Sequence, residues 1–111
     1  MEKITTFEDF TKIDIRVGTV IKVDSFPEAN KQAYKLTINF GSLGSRKTSA
    51  QITFRYKMEQ LLDLQVIAIV NLQNKQIANT MSNCLILGAV NNDDVILLKP
   101  EQHIPNGSPV H

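Results

Sequence analysis

The feature that most constrains this chain is an alternation of apolar and polar residues about ten residues long, with a glycine inside it. Ile15, Val17, Thr19, Ile21 and Val23 fall on one side, and Arg16, Gly18, Lys22 and Asp24 on the other. A period of two over that length specifies a half-buried strand, because successive side chains of an extended backbone point to opposite faces. Gly18 in the middle allows a sharp bend, as the first strand of a small barrel needs.

The rest of the chain reads as more short strands. Tyr34, Leu36, Ile38 and Phe40 alternate and give strand two. Gly41 to Ser45 is a turn, and Thr48, Ala50 and Ile52 form strand three. Residues 56 to 62 lack alternation and read as a helical turn crossing between strands three and four. Val66 to Val70 is nearly continuous apolar sequence, so it is expected to be covered on both faces. Asn71 to Thr80 is polar and loop-like, with Asn79 a candidate for positive φ. Leu85 to Leu87 and Val95 to Leu98 are further strands, with a turn at Asn91 to Asp94. Before strand one, Thr6 can cap a short helical turn in which Phe7 and Phe10 share a face, and Asp9 imitates the acidic partner of a capping box. After the last strand, Pro100, Pro105 and Pro109 with Asn106-Gly107 make an extended tail.

Five or six short strands with one crossing helix fit a small closed sheet. The fold class expected is all-β with short helices, a five-stranded OB-fold Greek-key barrel, and an SH3-like barrel is the second choice. A length of 111 residues makes this one domain, residues 1 to 111. With no Trp and 6% aromatic residues, its core must come from Ile, Leu and Val.

A net charge of +1 hides an uneven distribution. Residues 31 to 75 carry Lys31, Lys35, Arg46, Lys47, Arg55, Lys57 and Lys75 against only Glu59 and Asp63. Both flanking segments are acidic. A basic middle between acidic ends suggests a one-sided anion-binding surface if folding gathers those residues; otherwise they are a solvated set of charges. The longest apolar runs are too short to span a bilayer, so no membrane insertion is expected. A polar N-terminus and a single cysteine, Cys84, point to the cytoplasm.

Catalytic motifs are missing. No phosphate-cradling glycine loop is present, and Cys84 with the tail histidines His103 and His111 does not make a zinc site. The adjacent Asp93 and Asp94 flank a turn and are poor candidates for paired-carboxylate chemistry. The chain reads as a binding module with no catalytic residue, no metal and no cofactor.

One ordered set of segments is informative. It comprises Asp14-Ile15-Arg16-Val17-Gly18, Ser49-Ala50-Gln51-Ile52, Arg55-Tyr56, Asn71-Leu72, Ser82 before Leu85-Ile86-Leu87-Gly88, and Pro105-Asn106-Gly107. In this order the segments resemble the tRNA-binding OB-fold family, which includes appended domains of methionyl-tRNA synthetases and stand-alone tRNA-binding proteins. Ser49 to Ile52 and the Phe26-Pro27-Glu28-Ala29 loop are similar to its CsaA-type branch of export-related chaperones. The resemblance implies a homodimer of barrels that binds tRNA by shape. For the CsaA-type branch it also implies binding of unfolded or presecretory polypeptide. The family's RNA-facing stretch corresponds to Asn71 to Ser82. Here it departs from the pattern: a proline near Asn74 is missing, the basic pair is reduced to Lys75 and Gln76, and the usual glycine is Asn79.

The candidate RNA-binding residues are Arg46, Lys47, Ser49, Arg55, Tyr56, Asn71, Lys75 and Ser82. Arg46 and Lys47 either contact phosphate or stand as solvated turn charges. Phe54-Arg55-Tyr56-Lys57 interleaves aromatic and basic residues as nucleic-acid surfaces do, while a tyrosine opening a helix also serves as a core cap. Ser82 offers a hydroxyl to phosphate or to a turn. Asn71 bonds loop backbone or RNA, and Asp14 with Arg16 reads as a local ion pair. Phe7, Phe10 and Phe26 belong to a core, a dimer interface or a peptide groove. The rival functions are a chaperone with an apolar groove near Met58, Met81, Phe54 or Leu43, and an assembly module that docks on another protein.

Overall fold

The computed structural model describes residues 2–111. Helix α1 (Phe7–Thr11) leads into strand β1 (Ile15–Ser25), followed by β2 (Tyr34–Asn39), β3 (Ser45–Ala50), helix α2 (Met58–Leu61) and β4 (Gln65–Ile69). Two hairpins bracket β7 (Leu85–Ile86). They are β5 (Lys75–Ile77) with β6 (Thr80–Ser82), and β8 (Gly88–Asn91) with β9 (Asp94–Leu97). Five strands form an antiparallel sheet in the order β3-β2-β1-β4-β7. The sheet curls until β3 meets the segment before β7. Asn83 closes that seam by accepting from the Lys47 N–H at 2.8 Å through Oδ1 and donating its own N–H to the Lys47 carbonyl at 2.9 Å. This is the nearly closed five-stranded barrel expected, with α2 crossing between β3 and β4.

The barrel is filled by Val20, Leu36, Ile38, Phe40, Leu61 and Val66, all essentially inaccessible. Thr6 caps α1 as expected, its Oγ1 accepting from the Asp9 N–H at 3.0 Å. Asp9 turns its carboxylate to Lys12 and Thr5.

Several expectations change. In β1 the register slips between Val20 and Lys22, so Ile21 is the extra residue of a bulge. Before the bulge Gly18 and Val20 face the core, and Ile21, expected inward, is 45% exposed. Beyond it the inward phase reverses, which returns Val23 to the core side. Gly18 is required by packing instead: a Cβ there would sit 2.6 Å from Ile38 and 2.8 Å from the Phe40 ring. On β4, Val66, Ala68 and Val70 are buried while Ile67 and Ile69 are half-buried, so only one face is fully covered. The stretch expected as loop from Asn71 to Thr80 contains most of the β5–β6 hairpin, and its positive φ falls on Ala78 at 50°, not on Asn79. Finally, Gly88–Asn91 is a strand in its own right, which the sequence pattern did not separate from β7.

The proline-rich tail is part of the sheet. Gly107 and Val110 donate to the carbonyls of Val17 and Ile15 at 2.7 and 2.8 Å, and Val17 donates to Ser108 at 3.0 Å. The first half of β1, which has β4 on one side and no β2 on the other, is thereby paired along both edges.

Candidate nucleic-acid interface

Strand β3 sets the geometry of the site. Its residues alternate inward and outward, so Arg46, Thr48 and Ala50 face the barrel and Lys47 and Ser49 face out. Antiparallel register places Lys47 opposite Thr37 and Ser49 opposite Lys35, which brings Lys35, Lys47 and Ser49 to one outer face of β2 and β3.

Beyond Ser49, three adjoining clefts share Gln51. A cleft of about 450 Å³ runs between the β1–β2 loop and the β5–β6 hairpin, with Lys31 and Glu28 on one bank and Lys75 and Ile77 on the other. A second, of about 490 Å³, passes under Lys75 toward β8 and β9 and is more apolar, with Ile52, Leu72, Leu85 and Val90 in its walls. A third, of about 610 Å³, extends from Lys31 to Phe54, Asn92 and Asp93. Together they form one groove across the end of β3. Lys31 and Lys75 are exposed on its rims and take part in no ion pair among the described residues.

The sequence-predicted residues divide. Lys47, Ser49 and Lys75 lie on the β3 face or in the groove. Ser82 lies directly across the hairpin from Lys75. Its Oγ is 3.2 Å from Thr48 Oγ1 and 3.4 Å from the Cys84 carbonyl, so its single proton is already engaged within the protein. Arg46 points opposite to Lys47, into the barrel mouth, where Nη1 donates to the Val70 carbonyl. Asn71 is engaged at both ends of its amide: Nδ2 donates to the Lys12 carbonyl at 2.7 Å and Oδ1 accepts from the Asp14 N–H at 2.8 Å.

Arg55 forms a two-pronged pair with Asp94, Nε and Nη2 each 2.6 Å from a carboxylate oxygen. That hydrogen bonding raises the Arg55 pKa and holds the Asp94 carboxyl below its usual range. Tyr56 packs against the core, and its hydroxyl accepts from the Leu97 N–H at 3.0 Å, which anchors β9. Its ring is partly buried against that core, in the core-cap position the sequence also offered. Asp14 and Arg16 pair at 2.6 Å, as the sequence suggested, and Arg16 Nη1 also donates to the Gly107 carbonyl at 3.0 Å.

The three phenylalanines do not form one surface. Phe7 and Phe10 are exposed at 78% and 37%, with rings 6.2 Å apart. Phe26 is taken inward at 3%, beneath the Lys35 ammonium at 5.1 Å. It is buried within the protomer, near Ala33 and Tyr34. Cys84 is likewise buried, and desolvation pushes its thiol up to about 11 against the opposing pull of Arg46. An unionised thiol is a poor nucleophile.

Sequence reasoning missed Gln51 as the shared floor of the groove, Lys31 as its rim and Asn83 as the barrel clasp. Lys31 carried only a charge-count signal, and the pairing of Asn83 with Lys47 spans 36 residues, beyond any local pattern. Among the described residues no cluster of His, Cys, Asp or Glu could hold a metal, and no helix is long and apolar enough to cross a membrane.

The family described as "Putative tRNA binding domain" matches residues 15–109. Among solved structures, the chaperone CsaA of Bacillus anthracis superposes with a TM-score of 0.95 at 43% identity, covering 98% of this chain and 100% of that one. The CsaA chaperone of Picrophilus torridus superposes with a TM-score of 0.90 at 46% identity, covering 97% and 100%. The methionine–tRNA ligase of Methanococcoides burtonii is 32% identical over 109 residues, 97% of this chain but 16% of the ligase. The chain thus spans about one sixth of the length of that curated relative.

Proposed function

Because the chain belongs to the tRNA-binding domain family, we propose that it binds tRNA without catalysis, through the groove that crosses the end of β3. The observation that carries this reading is the placement of Lys31 and Lys75, exposed on facing rims and in no ion pair among the described residues. Two such ammonium groups neutralise phosphates, and Lys35 and Lys47 on the adjoining face extend the positive track. Lysine recognises phosphate as a point charge, so the interaction reads backbone spacing and not base identity. In a cytoplasmic homodimer, two such grooves would read the shape of a folded RNA and gain avidity from double attachment. The exposed Ile4, Phe7 and Phe10 supply an apolar surface for that association.

Titration with bulk tRNA at two salt concentrations tests the reading. The parent protein is expected to lose affinity with salt at a slope of roughly −0.7 per phosphate contact. Lys31→Glu with Lys75→Glu should weaken binding by roughly tenfold or more and flatten that slope. Unchanged affinity in the double variant rejects the site.

A second reading has its own support. The walls of the middle cleft expose Leu72, Leu85 and Val90 at 48%, 47% and 72%, an apolar surface able to take unfolded or presecretory polypeptide. The two solved structures above are of proteins named as chaperones. Suppression of client aggregation that survives the double lysine reversal would assign the cleft to polypeptide.

A further inference from the structure

The groove has an aromatic residue at one end whose side chain the fold does not use. Phe54 sits at the centre of the turn Thr53–Arg55 and is 72% exposed, although buried Ile52 lies only two residues before it. Its turn is bonded to its surroundings. The Tyr56 N–H donates to the Ile52 carbonyl at 3.1 Å, and the Arg55–Asp94 pair ties the turn to the β8–β9 hairpin. Around it the cleft is polar: Lys31, Gln51, Asn92 and Asp93 share its walls, with Val90 beside them. Scattered surface phenylalanines need no explanation. This one stands on a hydrogen-bonded turn and borders a cleft of about 610 Å³ that continues through Lys31 and Gln51 into the groove assigned to tRNA.

We propose that Phe54 is a stacking platform for one unpaired nucleobase of the bound RNA, with Lys31 on the neighbouring phosphate. The inference rests on the reading of the groove as an RNA site. A flat, exposed ring presents a π-face to any base, and a preorganised turn loses little entropy on stacking. Asp93 disfavours a phosphate at this end of the cleft and accepts hydrogen bonds from the amino or imino N–H groups of a base edge. Gln51 and Asn92 offer both donors and acceptors. The cation at one side and the carboxylate at the other thus orient a nucleotide, sugar-phosphate toward Lys31 and base toward Phe54. This places the role that the sequence offered to Tyr56 on its neighbour two residues earlier.

The chain has no tryptophan, so Phe54→Trp introduces a single fluorophore at the site. Phe54→Ala and Phe54→Trp are titrated with bulk tRNA and with a blunt-ended RNA duplex lacking unpaired bases. Stacking predicts that Phe54→Ala weakens tRNA binding by roughly five- to a hundredfold, that the loss persists at high salt, and that duplex affinity is unmoved. Phe54→Trp should keep parental affinity and have its emission quenched by tRNA but not by the duplex. If the parent binds tRNA and the lysine reversal weakens it, while Phe54→Ala is neutral and Phe54→Trp is not quenched, the platform is rejected and the groove stands. If the parent binds no tRNA, both fall. Loss in Phe54→Ala of unfolded-polypeptide binding or of self-association, with tRNA affinity intact, also rejects the platform.

Discussion

The β1 side of the barrel and the β3 side use their polar residues in opposite ways. Along β1 and β4 the chain satisfies itself. Arg16 is held by Asp14 and the Gly107 carbonyl, Asn71 bridges Lys12 and Asp14, Thr19 Oγ1 donates to Asn106 at 2.7 Å, and Gln65 Nε2 donates to the Ile104 carbonyl at 2.6 Å. Across the end of β3, the side chains of Lys31, Lys47, Gln51 and Lys75 make no hydrogen bond among the described residues. The first set locks the tail onto β1. The second leaves donors free for something outside the chain. A basic residue is therefore best judged by whether the fold already coordinates it: Arg16, Arg46 and Arg55 are bonded within the chain, and among the described residues Lys31 and Lys75 are not.

The contrast can be broken most severely beneath Gly18. Phe40 is fully buried there, and Phe40→Ala should cost about 3–5 kcal/mol by chemical denaturation without altering the salt slope of tRNA binding in the folded protein. A smaller loss is expected from Asn71→Ala, which leaves the Lys12 carbonyl and the Asp14 N–H without their shared partner. About 1–2 kcal/mol should disappear, again with the RNA salt slope intact. On the other side, Lys75→Ala should leave stability within about 0.5 kcal/mol of the parent while lowering the magnitude of the salt slope by roughly 0.7.

The least effect belongs to the surface pair of Arg55 and Asp94. A carboxyl held below its ordinary pKa adds stability that is complete above the unfolded value near 3.9 and is lost as the pH falls through the folded value. Stability against pH should therefore be flatter below about pH 4 in Asp94→Asn than in the parent. Equal acid slopes would show that the pair is screened by solvent.

Range along the chain decided which features were legible in the sequence. The barrel strands, the α1 cap and α2 rest on local alternation and capping, and all appear near their expected places. The bulge at Ile21 was hidden because Thr19, Ile21 and Val23 alternate in sequence regardless of which edge pairs with β2. The hairpin of Lys75 to Ser82 was hidden because both its strands are three residues long and polar. At the site, residue types on β3 and the hairpin were readable. Which arginines were already engaged was not, since the partners of Arg46 and Arg55 lie 24 and 39 residues away.

Asn83 gives the barrel a mechanical character that a full ladder would not. Where the other seams of the ring are strand ladders, this one is fastened by Asn83 on Lys47, by the Ser82 hydroxyl on Thr48 Oγ1 and by the Cys84 thiol on the Lys47 carbonyl. Circumferential strain relaxes first at the weakest fastening. The ring should therefore breathe beside the groove, and amide protons of Lys47 and Asn83 should exchange with solvent faster than that of Val20 in the buried stretch of β1.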